Sequence, residues 1–107
     1  MNVTTNNELR CTIALAALEN VIDPEIGLNV VDLGLIYKIN FDEPASKISL
    51  LMTLTTPFCP MGDSIKAAAE QVLSETFNAD EIEIALIFDP PWDHSRISAA
   101  GKDFLDS

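Results

Sequence analysis

Apolar positions recur along this chain with two different periods, and the changes of period mark out its elements. Cys11, Leu15, Leu18 and Ile22 fall at i, i+4, i+7 and i+11, on one face of a helix, and Thr5-Asn6-Asn7-Glu8 has the spacing of a capping box. The pattern predicts a first helix from about residue 6 to about residue 21. Asp23-Pro24-Glu25 ends it, because proline disfavours the helical conformation in the residue before it. A loop containing Gly27, Asn29 and Gly34 follows.

The period then changes. Leu35 to Phe41 and Lys47 to Leu54 are rich in branched and aromatic residues, and Asp42-Glu43-Pro44-Ala45-Ser46 between them is turn chemistry, so the pair reads as a β-hairpin. Ile48, Leu50, Met52 and Leu54 share one face of its second strand, the face expected to be buried under a helix. That helix follows Pro60: Met61, Ile65, Ala68, Val72 and Leu73 keep helical spacing until Asn78-Ala79-Asp80. Glu81 to Phe88 begins by alternating and ends fully apolar, which predicts a third strand buried at its end. Asp89-Pro90-Pro91-Trp92 makes a stiff exit, and Ile97, Ala100, Gly101, Phe104 and Leu105 give a short last helix one apolar face. The expected order is α-β-β-α-β-α. It describes one two-layer α/β (α+β) domain spanning residues 1–107, with a small three-stranded mixed sheet covered by helices.

Composition narrows the partners. The chain has 107 residues, of which 48% are hydrophobic, enough for a core of its own. Seventeen acidic residues against six basic ones give a net charge of −11, which repels nucleic-acid phosphate and anionic lipid. Neither nucleic acid nor a membrane surface is expected as a partner. The two cysteines, Cys11 and Cys59, form no C-x-x-C pair, which excludes a self-contained zinc ribbon and fits a reduced, cytoplasmic setting. Glu19 and Asn20 interrupt the apolar stretch from Cys11 well short of the ~20 residues of a membrane span, so neither export nor anchoring is expected.

The chemistry concentrates in Thr53-Leu54-Thr55-Thr56-Pro57-Phe58-Cys59-Pro60-Met61-Gly62-Asp63, where a cysteine stands between strand and helix with proline at the first helical position. Cys59 as N-cap would face unpaired amides and the positive helix end, which favour thiolate and lower its pKa below the ordinary value of about 8.5. Asp63 opposes that shift, and a buried, inert cysteine is the alternative reading. Thr55 and Thr56 bring hydroxyls beside the thiol, or else cap the helix. Asp23 and Glu25 flank a rigid Pro24, a geometry able to hold a cation, although solvated acidic loops are the commoner case. Trp92 is either a lid over the sheet end or an interface anchor. His94 pairs with Cys59 only on an argument that no motif supports, and Cys11 belongs to the apolar face of the first helix.

Three stretches taken together, Asp23 to Leu35 (D-P-E-I-G-L-N-V-V-D-L-G-L), Thr55 to Pro60 (T-T-P-F-C-P) and Asp89 to Trp92 (D-P-P-W), resemble the SufT/PaaD-like iron–sulfur assembly domain, or metal-sulfur cluster biosynthetic family, from about residue 10 onward. The resemblance implies a factor in the maturation of iron–sulfur proteins. It implies Cys59 as the reactive position, a metal ligand or transfer thiol, with Asp23, Glu25, Thr55 and Thr56 as the polar residues around it. The partners it implies are iron–sulfur scaffold and recipient proteins. One thiolate cannot satisfy a cluster that takes four thiolate-type ligands, so the expectation is transient contact with iron or a cluster and no stable binding by the monomer. A second Cys59 across a homodimer would be one source of a further ligand. Two other classes stay open beside this one: a thiol-based redox sensor or enzyme, and a purely structural interaction module.

Overall fold

The structure is a computed structural model, and the residues described are 3–55, 62–78 and 80–106. The elements run β1 (Thr4–Thr5), α1 (Glu8–Leu18), β2 (Ile36–Asp42), β3 (Lys47–Met52), α2 (Gly62–Thr76), β4 (Glu81–Leu86), a 3-10 turn (His94–Arg96) and α3 (Ala99–Asp106). Among the described residues the sheet has four strands in the order β1-β2-β3-β4, where three were expected. β2 and β3 form the antiparallel hairpin, while β1 on β2 and β4 on β3 are parallel pairs. The extra strand also changes the element order at its start. β1 is two residues long, too short to leave a periodic signal, and its partner strand lies more than thirty positions away.

The boundaries shift for local reasons. Helix α1 starts later than the capping-box spacing suggests, because Asn7 and not Thr5 is the N-cap: its side chain accepts from the Arg10 amide at 3.1 Å. The inward face of α1 is Cys11, Ala14 and Leu18, whereas Ile22 lies beyond the helix and is 49% exposed. In α2 the buried set is Gly62, Ile65, Ala69 and Leu73, with Ala68 and Val72 half-buried beside it.

Helices α1 and α2 pack on each other over one face of the sheet. That face carries Ile36, Ile39 and Phe41 from β2 opposite Met52, Leu50 and Ile48 of β3. Ile36 and Ile39 share a face only because the register shifts between Ile36 and Lys38, making Tyr37 the extra residue of a bulge. The other face is mostly polar, with Lys38, Asn40, Ser49, Glu81 and Glu83 in register across it. β4 differs from expectation at its end, since Ile84 is buried while Leu86 and Ile87 are half-buried and Phe88 is 40% exposed. Among the described residues it is an edge strand with a neighbour on one side.

Much of the core comes from a segment without regular structure. Leu28, Val30, Val31, Leu33 and Leu35 are all buried, inside the loop that leads into β2.

Candidate functional site

Strand register decides which loops meet. Ile36 at the start of β2 lies opposite Met52 at the end of β3, which in turn lies beside Leu86 at the end of β4. The ladder continues past the strands, with the Thr53 amide donating to the Leu35 carbonyl and the Ile87 amide to that of Met52, both at 2.9 Å. The segments entering β2, leaving β3 and leaving β4 therefore share one end of the sheet, where connecting loops of α/β layers build their sites. Those segments contain the three motifs.

In the first, Asp23 is 1% exposed. Its Oδ1 accepts from the Glu25 amide at 2.9 Å, and its carbonyl accepts from Ile26 at 3.2 Å and Gly27 at 2.7 Å. One carboxylate oxygen is thus committed to the turn that the Asp-Pro-Glu sequence makes. Glu25, two residues on, is exposed. The turn brings the two residues together along the backbone but gives them different surroundings.

The rest of that loop is clamped from the C-terminal segment. The Trp92 Nε1–H donates to the Leu33 carbonyl at 2.6 Å, the Arg96 Nε–H to the Gly34 carbonyl at 2.9 Å, and the Ser98 amide to the Asp32 carbonyl at 2.8 Å. Three successive carbonyls are held in this way. Asp32 Oδ1 accepts from the Ser98 hydroxyl at 2.8 Å and Oδ2 from the Asn29 side chain at 2.7 Å. Ser98 Oγ accepts in turn from the Gly101 amide at 2.9 Å, the N-cap bond that starts α3 on this loop. Gly34 has φ +77°, and a Cβ there would lie 2.3 Å from the Arg96 carbonyl oxygen. No other residue combines that backbone with that approach.

Trp92 is half-buried at this end of the sheet, with its edge to His94 at 5.2 Å between ring centroids. Thr55 sits half-buried in the bend after Leu54. Thr56 and Cys59 lie outside the described residues, as does the N-cap and Pro60 reading; α2 is described from Gly62, with Asp63 exposed in its first turn. Cys11 is buried under α1, and burial pushes its thiol pKa up, the state of a core cysteine. His94 is exposed. Among the described residues no three His, Cys, Asp or Glu side chains come together as a metal site, and no helix is long and apolar enough to cross a membrane.

Residues 13–85 match the model of a family described as iron–sulfur cluster assembly protein. The chain belongs to that family. It is 39% identical over 82 residues to the Fe-S protein maturation auxiliary factor SufT of Staphylococcus aureus (strain USA300), covering 77% of this chain and 92% of the relative. It is 33% identical over 88 residues to the Fe-S protein maturation auxiliary factor YitW of Bacillus subtilis (strain 168), covering 82% and 85%. The fold agrees with a crystal structure of a domain of unknown function from Bacillus anthracis, at a TM-score of 0.86 and 37% identity over 92% of this chain and 93% of that one.

Sequence reasoning missed the scaffold of the assembly domain. Asp32, Arg96 and Ser98 were not singled out along the chain, since the contacts that join the loop to the C-terminal segment span more than 60 positions. Only Gly34, inside the quoted motif, hinted that the loop needs a special backbone.

Proposed function

We propose that the protein is an iron–sulfur cluster assembly or maturation factor in which Cys59 is the metal ligand or transfer thiol. The observation that carries this reading is the convergence of three motif-bearing segments at one sheet end in a chain of the iron–sulfur cluster assembly family. Cys59 stands in the connection between β3 and α2, which leaves the sheet at that end. Asp23, Glu25, Thr55 and Thr56 are the polar surroundings proposed for it. Cluster or iron is cargo in this scheme. A single thiolate supplies one of about four ligands, so the others come from the scaffold that delivers the cluster, the recipient, or Cys59 of a second copy. Trp92, held on the Leu33 carbonyl, limits water at the site while leaving the exposed side open to docking.

The reading takes the 107 residues as a single domain at work in the reducing cytoplasm, with scaffold and recipient iron–sulfur proteins as its partners. The test is replacement of the protein by Cys59→Ser in cells whose iron–sulfur enzymes are assayed. Activity of those enzymes should fall to the level of cells lacking the protein, while the purified variant keeps its fold. Full activity with the variant would remove the thiol from the mechanism, and loss caused by Trp92→Ala but not by Cys59→Ser would reassign the site to docking. Anaerobic reconstitution with iron and sulfide, followed by absorption spectra and a metal count, measures whether Cys59 is a ligand.

A further inference from the structure

The chain has six cationic side chains for seventeen carboxylates, so two cations that share one space stand out against an acidic background. Arg10 is engaged by Asp80 and Glu43, and Lys47 by Glu83. Of the four others, Lys38 and Arg96 line one hollow of about 310 Å³ beside the polar face of the sheet, together with Thr4, Tyr37, Ile87 and Pro90. Among the described residues neither makes an ion pair. Two of the few positive charges thus line the same space, whose lining holds no carboxylate, and the carboxylate that Arg96 acts on, Asp93, is exposed outside it.

Arg96 is also fixed in advance. Its Nε–H donates to the Gly34 carbonyl at 2.9 Å, and its guanidinium carbon sits 4.2 Å from the centre of the Tyr37 ring. The ring is itself pinned, because the Tyr37 hydroxyl donates to the Pro90 carbonyl at 2.9 Å. Tyr37 reaches that position as the extra residue of the β2 bulge, a device that re-aims a side chain. With Nε engaged and the guanidinium carbon over the Tyr37 ring, Nη1 and Nη2 have no partner among the described residues. A planar fork held this way has already lost its rotamer entropy, and its geometry suits two oxygens of one carboxylate.

We propose that this hollow is a receptor for the carboxylate of a small organic acid, gripped by the two terminal nitrogens of Arg96 with Lys38 as the second positive charge. Ile87 and Pro90 supply apolar contact for a short carbon chain, and the Thr4 hydroxyl is an additional donor. The hollow is the size of the smaller ligand pockets. Because the same guanidinium holds Gly34, an occupied hollow would also tighten the loop that enters β2. The proposal does not depend on Cys59 or on the assembly role.

The test is an NMR titration of the intact protein with succinate, beside a parallel titration with inorganic phosphate. Saturable shifts confined to the amides of Thr4, Lys38 and Ile87 and to the Arg96 Nε–H support the proposal, provided that Lys38→Gln weakens succinate by about tenfold. Arg96→Lys, which keeps the charge and loses the fork, should weaken it at least as much. If that variant does not fold, Lys38→Gln decides alone, since an exposed lysine can be exchanged without disturbing the core. Linear shifts without saturation, shifts scattered over the surface, or unchanged affinity in Lys38→Gln would each overturn the proposal. So would saturation by phosphate with no response to succinate, which would make the site a phosphate receptor.

Discussion

The two ends of the sheet are held together by different means. At the end carrying the β2–β3 turn, a charged cluster of side chains carries the contacts. Arg10 meets Asp80 at 2.5 Å and Glu43 at 3.7 Å, and its guanidinium lies 5.0 Å from the ring centres of both Phe41 and Phe77. Asn6 completes that end by pairing both amide atoms with the Phe41 backbone at 2.9 Å, as a neighbouring strand would. At the opposite end Trp92, Arg96 and Ser98 bind backbone carbonyls of the loop before β2. The first arrangement consumes charge to join α1, the hairpin and the α2–β4 connection. The second fixes a loop mainly by its main chain, with Ser98 and Asn29 also holding the Asp32 carboxylate. The two sheet ends of this small domain are thus held by different kinds of bond.

Mutations at the two ends should therefore fail differently. The largest effect is expected for Gly34→Ala, which strains a positive φ and drives a methyl group into the Arg96 backbone. A loss of about 3 kcal/mol is expected, seen as a fall in Tm of more than about 10 °C. An alanine variant as stable as the parent would mean that the C-terminal segment does not press on this loop. Next, Trp92→Ala should cost about 2 kcal/mol through lost packing and the lost bond to Leu33. It should also speed alkylation of Cys59 and disturb α3 while hydrogen exchange in the hairpin stays unchanged. Equal loosening of both sheet ends would contradict the separation drawn above.

Arg10→Met should be milder, about 1–2 kcal/mol by urea unfolding, because its ion pairs are only partly shielded from water. Here the rate of Cys59 alkylation should not change, the mirror image of the Trp92 result. The smallest effect belongs to Asp93, an exposed carboxylate whose pKa is held low by hydrogen bonds from the Ser95 hydroxyl and amide. A carboxylate with a lowered pKa contributes stability above its unfolded value of about 3.9 and loses it as pH falls through the folded one. Asp93→Asn should therefore be slightly less stable than the parent at neutral pH and indistinguishable from it in strong acid. A difference of the same size at both ends of the pH range would assign the effect to packing instead.

The comparison also separates what could be read along the chain from what could not. β3 and α2 were legible because each repeats one period for six residues or more, and β2 and β4 because apolar, branched residues stand between turn residues. Even so, the I-Y-K-I-N-F run of β2 follows neither period, and only the bulge at Tyr37 explains why Ile36, Ile39 and Phe41 are all buried. The loop before β2 had no period at all, yet five of its apolar residues enter the core.

By itself, the sequence determined the hairpin and its turn, the helices that bury one sheet face, the acidic surface and the motifs that place the chain in its family. Those are local or compositional properties, decided by neighbours within a few positions or by the sum of charges. Tertiary structure alone decided the two-residue β1, the Asn7 cap, the clamp of Trp92, Arg96 and Ser98, and the pairing of Lys38 with Arg96 beside one hollow. Each of these depends on contacts made across the fold or on which nearby side-chain acceptor wins, and a backbone carbonyl serving as acceptor is the same in every residue. The partner of such a bond leaves no trace in the order of side chains.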